Sequence, residues 1–441
     1  MAWFWTVLAL SAALTFGVSP AGAQSNPVFV SLQGGAKALL YRPDNNLSPR
    51  VGVLTVHRTG DKFTAPECTE LSRRGFAVLC LNTRFVNNEA LVEFEKIPLD
   101  VKQGVEYLKK QGVARVILLG HSGGGATTTF YQAVAEAGPS YCQGPNKLVQ
   151  CDNSLAGLPP VDGMLLLDAH PSNASNALRA INPAVFNEDR PDLVDPALDP
   201  FNLANGYNPE GQSHYPAEFV KRYSEAQAKR MNRWIDRALY MRKLMKDGSW
   251  IYPDNDAFII PRGNDRSTNI FAMDTSILCC TKRAQRLLKN DGTMVTQVIK
   301  SVRPPDTTRA KMNETFGDGS FNLGGTRVLT VKSFLSANAI RATDSLDYGR
   351  IDWCTSNNSV PCALRTITVP VLIVAMQGHY FVTDSEYFLD IAKSADKEFI
   401  AIEGAMHGFT PCRDCEGGPY NNSVKNLFDY VAKWINARFS L

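Results

Sequence analysis

Val116-Ile117-Leu118-Leu119-Gly120-His121-Ser122-Gly123-Gly124-Gly125 is the stretch on which the fold turns. Four apolar residues of the kind that fill buried strands run straight into G-x-S-x-G, and Gly124–Ala137 behind them reads as a helix. A serine held between a strand and a helix sits on a sharp, strained turn. Only minimal side chains fit two places before and two places after it. The turn lifts the Ser122 hydroxyl above the sheet edge and brings the helix amino end to face whatever reacts there. A phosphate-binding loop would need a Lys-Ser/Thr ending, which this stretch lacks. A glycine-rich turn with an incidental serine explains neither the strand before it nor the helix after it.

The chain around this turn alternates in the same way. Val51–Val56, Phe76–Leu81 and Met164–Leu167 read as buried strands, and Pro66–Arg74 and Leu99–Lys110 as helices between them. That is βαβ grammar, which predicts an α/β fold with a mostly parallel central sheet flanked by helices. Val28–Val30 and Ala38–Tyr41, around Gly34-Gly35, read as an antiparallel opening hairpin. The grammar returns near the end, with strands Val371–Ala375 and Glu398–Ile402 and helices Ser385–Ser394 and Ser423–Phe439. Residues 24–170 and 366–441 are thus two parts of one core.

Residues 171–365 carry no second βαβ run and read as a large, mainly helical cap inserted over the strand ends. An acidic, Pro-rich stretch (Asn182–Glu210) precedes a long helix from Ala217 to about Asp247. Its inward stripe is Phe219, Tyr223, Met231, Trp234, Ile235, Ala238 and Met245, with Lys229, Arg230, Arg233, Arg237, Arg242 and Lys243 on a solvated face. Glu188–Asp199 is acidic enough to suggest calcium but has no ordered ligand spacing.

With the elbow at Ser122, the chain resembles the α/β-hydrolase superfamily, and within it the secreted, lidded serine esterases and lipases. The resemblance covers Val51–Asp168 and Ile367–Leu441 and leaves the cap unmatched. It implies acyl transfer through a serine ester, with no cofactor and no metal. The superfamily's order of serine, acid, histidine points to His407, in Glu403-Gly404-Ala405-Met406-His407-Gly408-Phe409 after the last strand, as general base. An unperturbed imidazole, titrating near ~6.5, can take the hydroxyl proton at neutral pH and return it to the leaving group. The usual place of the acid, past Val371–Ala375, holds His379 instead. Asp168, ending the strand before Ala169-His170-Pro171, is the first choice. Asp384 is the alternative and Glu386 the third, although Thr383-Asp384-Ser385-Glu386 also reads as a capping box. The oxyanion hole is expected from the Gly123 and Thr59 amides. In His57-Arg58-Thr59-Gly60, Arg58 stands where the family has glycine, free to meet either an acidic substrate group or a cap carboxylate.

Export fits the two ends of this reading. Met1–Ala23 holds no Asp, Glu, Lys or Arg, and its short apolar run ends in Ala21-Gly22-Ala23, so a cleaved signal peptide with Gln24 as the mature start is expected. The destination is extracellular, or periplasmic in a bacterium, without a stable membrane anchor. The ten cysteines fall into sequence-local couples, Cys68–Cys80, Cys142–Cys151, Cys354–Cys362 and Cys412–Cys415, each contributing about 2–3 kcal/mol as a disulfide. Adjacent Cys279 and Cys280 either bridge each other or reach further. Cys412-Arg413-Asp414-Cys415 lacks the second CxxC of a zinc site. Sequons at Asn46, Asn173, Asn313, Asn357 and Asn421 would carry glycans in a eukaryotic host.

Composition sets the outer limits. The 441 residues are 44% hydrophobic, enough for a large core, and the net charge of +3 gives no reason to expect nucleic acid. The expected partner is a small-molecule ester or lactone. Peptidase or thioesterase action would use the same machinery, and a non-catalytic binding module would keep only the fold. Serine rather than aspartate at the elbow argues against haloalkane or epoxide chemistry, and H-E-x-x-H is absent.

Overall fold

The sheet that carries Ser122 has ten strands. The structure, a computed structural model, describes residues 27–43, 48–261, 268–306, 322–323 and 326–440. The expected export segment and the sequons at Asn46 and Asn313 lie outside the described residues. In chain order the strands are β1 (Val28–Ser31), β2 (Lys37–Tyr41), β3 (Val51–His57), β4 (Ala77–Asn82), β5 (Arg115–His121), β6 (Gly163–Leu167), β7 (Ala257–Ile260), β8 (Cys280–Leu288), β9 (Met294–Lys300), β10 (Asn322–Leu323) and β11 (Thr326–Thr330). They continue with β12 (Val371–Met376), β13 (Lys397–Ile402), β14 (Ala405–Met406) and β15 (Thr410–Pro411). The main sheet runs β1-β2-β4-β3-β5-β6-β12-β13-β8-β9. It is parallel from β4 through to β8 and antiparallel only at its two ends.

Period-two alternation explains why the central strands read as unbroken apolar runs. Leu54, Val56, Leu118, Leu166 and Ile373 face one layer, where helices Ile97–Lys110 and Gly124–Ala137 bring Val101, Val105, Leu108 and Phe130. Val53, Ile117, Leu119, Leu165 and Val374 face the other, against Leu71, Leu427, Phe428, Val431 and Ile435 of helices Pro66–Ser72 and Ser423–Phe439. Both faces are covered, so neither can be polar. The expected opening hairpin forms, Val28 opposite Leu40.

The boundary of the insertion differs from expectation. Within residues 171–365, β8 and β9 leave the inserted segment and rejoin the main sheet beside β13. Lys282, Arg283 and Gln285 on this edge hairpin hide the pattern of a buried strand, while the turn signal Asp291-Gly292 marks it. The insertion is also less helical than its composition suggests, since β7, β11 and β10 form a small antiparallel sheet. Helix Ala217–Lys246 buries the whole inward stripe named above. Arg230 departs from the solvated face. It is 1% exposed and spends its guanidinium on Glu188 and the carbonyls of Asn182 and Pro261.

The cysteines pair as expected, and Cys279 pairs with Cys280. Two sequons are closed to glycans. The Asn173 amide nitrogen is buried and donates to Asn338 at 2.7 Å and Glu89 at 3.0 Å, and that of Asn357 donates to Glu95 at 2.9 Å. Asn421 is exposed. Among the described residues no helix is long and apolar enough to cross a membrane.

Candidate active site

β5 ends at His121, and Ser122 follows with φ 54°, in the left-handed region that side chains rarely enter. The flanking glycines make this bend possible. A Cβ on Gly120 would lie 2.6 Å from the Gly125 backbone, and one on Gly124 would lie 2.4 Å from the Val56 carbonyl oxygen. Helix Gly124–Ala137 starts at once, so the Gly123 N–H precedes its first turn and has no acceptor among the described residues.

A hydrogen-bonded chain crosses the sheet edge. Ser122 Oγ lies 3.0 Å from His407 Nε2, and His407 Nδ1 lies 2.6 Å from Asp168 Oδ2. Three elements far apart in sequence deliver these groups. Asp168 ends β6 with φ 45°, its N–H bonded to Val374 and its Oδ1 accepting from the Met376 N–H at 3.3 Å. His407 sits at the tip of the β14–β15 hairpin, next to the Cys412–Cys415 pair. The fold is that of the α/β-hydrolases.

In α/β-hydrolase terms the departures are as informative as the matches. His379 occupies the place after β12, and its Nδ1 lies 2.9 Å from the same Asp168 oxygen, with its ring stacked on His407 at 4.5 Å. Burial would raise the Asp168 carboxyl, but His379 and His407 outweigh it and hold the group far below the usual carboxylate range. Burial lowers His379 itself to about 4, against the pull of Asp168. Asp384 lies elsewhere: buried, it pairs with Arg179 at 3.2 Å and accepts from the Tyr348 hydroxyl at 2.5 Å. Glu386 accepts the N–H groups of Lys282 and Arg283 and so anchors β8. Neither is bonded to His407.

Thr59 also departs from expectation. Its amide donates to His57 Nδ1 at 3.2 Å, the Gly60 amide donates to the same nitrogen at 2.6 Å, and the Thr59 hydroxyl donates to Glu89. Arg58 is 4% exposed and grips Glu89 through Nε at 3.0 Å. That carboxylate follows β4 rather than coming from the insertion, which contributes Asn173 and Asn338 around it.

No protein-family model and no curated protein sequence matches this chain. Solved structures similar to it include the siderophore hydrolase EstB from Aspergillus fumigatus, at 12% identity over 96% of this chain and 100% of that one, with a TM-score of 0.43. A soluble variant of monoglyceride lipase from Saccharomyces cerevisiae is 12% identical over 95% and 98%, also at 0.43. Est1E from Butyrivibrio proteoclasticus is 11% identical over 95% and 100%, at 0.37. What the chain displays is the fold alone, in its strand order and its elbow turn.

Five of the six histidines converge here, which spacing along the chain did not reveal. His121 Nε2 donates to the His407 carbonyl at 2.7 Å, and His170 lies beside Gly123 and Phe381. Burial lowers His57, His121 and His170 well below the ordinary imidazole range. Phe271, Tyr380 and Phe381 form an apolar wall on the same side. Asp168, His379 and His407 are the group among the described residues with ligand atoms close enough to share a metal. His407, however, already spends Nδ1 on the Asp168 carboxylate and Nε2 on the Ser122 hydroxyl, while His379 Nδ1 lies 2.9 Å from the same carboxylate oxygen. The acids of Glu188–Asp199 are dispersed, with Glu188 on Arg230, Asp192 on Arg190, and Asp195 and Asp199 on turn amides.

Proposed function

We propose that the chain is a serine hydrolase that cleaves a carboxylic ester or lactone through an acyl-enzyme on Ser122. The observation that carries this is the unbroken contact from Ser122 Oγ through His407 to Asp168, at 3.0 and 2.6 Å. In the first step His407 Nε2 takes the serine proton as Oγ attacks the carbonyl carbon. Asp168 holds the proton on Nδ1, which leaves the Nε2 lone pair facing the hydroxyl and stabilises the imidazolium that forms. Collapse of the tetrahedral adduct breaks the ester C–O bond, and His407 protonates the departing oxygen. Water, activated by the same imidazole, then releases the acid.

Segment 171–365, without β8 and β9, acts as a cap in this reading, since Arg179 and Tyr348 from it clasp Asp384 beside β12. Secretion belongs to the same reading and is supported by Met1–Ala23 and the five cysteine pairs. Labelling with a fluorophosphonate tests the nucleophile. Wild type is expected to gain one phosphonyl group and Ser122→Ala none. An unlabelled wild type would reject the proposal and favour a binding module, and a labelled Ser122→Ala would reject Ser122 as the nucleophile. A panel of esters of graded chain length, lactones, thioesters and amides then identifies the class of bond cleaved.

A further inference from the structure

The expected second oxyanion donor, the Thr59 amide, is committed to His57 Nδ1, and so is that of Gly60. This fixes the ring. A nitrogen accepting two N–H bonds carries no proton, so in neutral His57 the hydrogen sits on Nε2. Burial keeps the ring neutral. His57 Nε2 then points a donor toward Arg58 Nη1, 3.5 Å away, which is also a donor. Two donors cannot satisfy each other. Both lie beside the residue that follows the nucleophile: Arg58 Nη1 is 2.5 Å and His57 Nε2 2.6 Å from the point where a Cβ on Gly123 would stand.

Arg58 is held there by its other end. Its Nε contacts both Glu89 oxygens at 3.1 and 3.0 Å, and Glu89 is itself fixed by Thr59, Asn173 and Asn338. The anchored guanidinium therefore leaves Nη1 facing the site. An acceptor oxygen at about 2.8 Å from both donors fits the 3.5 Å gap between them as the apex of a triangle.

We propose that the oxyanion hole of this chain is built from side chains, with Arg58 Nη1 and His57 Nε2–H joining the Gly123 amide in place of a loop amide. The proposal rests on acyl transfer at Ser122. As Oγ bonds to the carbonyl carbon, the C=O π pair moves onto oxygen. The three donors stabilise that charge without giving up a proton, and the pair returns when the leaving group departs. A positive charge in a dry site makes the hole strongest for the anion that develops rather than for the neutral ester.

The test follows the rate at which an uncharged alkyl fluorophosphonate modifies Ser122, because the phosphoryl oxygen occupies the same hole. Arg58→Met/Glu89→Gln removes the guanidinium without leaving a buried charge unpaired. Gly123→Ala keeps the ion pair and fills the point on which the donors converge. Both are expected to react about 10²–10³-fold more slowly per folded molecule. The Met/Gln pair should melt within a few degrees of wild type, whereas the methyl added in Gly123→Ala displaces two anchored side chains and lowers the melting temperature. Rates within threefold of wild type in either stably folded variant overturn the proposal, and would be the result if Arg58 binds an acidic substrate group instead. A wild type that fails to label rejects the serine reading itself, which separates the two failures.

Discussion

Replacing Asp168 with Asn keeps the shape of the site and reverses one hydrogen bond. Oδ1 accepts the Met376 N–H at 3.3 Å, so the new amide is steered to keep its oxygen there. Its NH2 group then falls where Oδ2 stood, 2.6 Å from His407 Nδ1. A donor in that place requires the Nδ1 lone pair, which moves the imidazole proton to Nε2 and leaves nothing to accept the Ser122 hydroxyl. The charge that would stabilise imidazolium is lost as well. Such a change costs on the order of 10⁴ in turnover, about 5 kcal/mol of barrier. Asp384→Asn should do the opposite. It leaves Arg179 buried beside an uncharged partner, at a cost of about 3–5 kcal/mol in stability, but leaves turnover per folded molecule near wild type. Steady-state hydrolysis of a chromogenic ester gives the first quantity and urea unfolding the second. Asp168→Asn within tenfold of wild type, or Asp384→Asn matching its loss at unchanged stability, would refute the assignment.

Three further outcomes are expected. His379 titrates at about 4 when folded and near 6.5 when unfolded, so the unfolded chain binds more protons between these values and stability falls as pH drops through that window. From pH 7 to pH 5 this one group removes about 2 kcal/mol, and urea midpoints unchanged over that range would contradict it. His121→Phe strips the donor from the His407 carbonyl, and a loss of ~1–2 kcal/mol should lower turnover about tenfold; an unaffected rate would show that the β14–β15 hairpin holds itself. Cys412→Ala/Cys415→Ala opens a short loop behind the same hairpin, for about 2 kcal/mol, and turnover should fall with stability; full activity would remove the disulfide from the positioning of His407.

The core was legible because its signals are local. Val51–Val56 and Val116–Leu119 are apolar throughout since helices cover both faces, and the Gly120 and Gly124 contacts leave the elbow little freedom in sequence. Ser122, His407 and the first-choice acid Asp168 come together in space, whereas Asp384 and Glu386, left open beside it, are bonded elsewhere. β8 and β9 were not legible, because an edge hairpin half open to solvent carries Lys and Arg where a buried strand carries Val and Ile. The hydrogen bonding of the His57–Gly60 loop was equally hidden. Whether the Thr59 amide faces the site or the His57 ring is decided by the turn itself, and the four residue names permit both.

Five histidines crowd around one serine, and on the proposed reading their partners and burial separate the base from the others. His57 spends Nδ1 on two amides, His121 spends Nε2 on a carbonyl, and the pull of desolvation keeps both, with His170, from gaining a proton. His379 faces the same carboxylate as His407 but has no hydroxyl partner among its described contacts, and it lies 7% exposed against 31% for His407. Among the described histidines, only His407 joins a carboxylate at one nitrogen to a hydroxyl at the other. If the proton passes to His407 during acylation, His379 is held neutral by the new positive charge stacked 4.5 Å away, so the pair shares Asp168 without competing for the proton. Exchanging His379 for Gln should then leave the reaction order and leaving-group dependence intact and alter only the pH profile, whereas loss of activity as deep as in His407→Gln would make the two imidazoles a joint base.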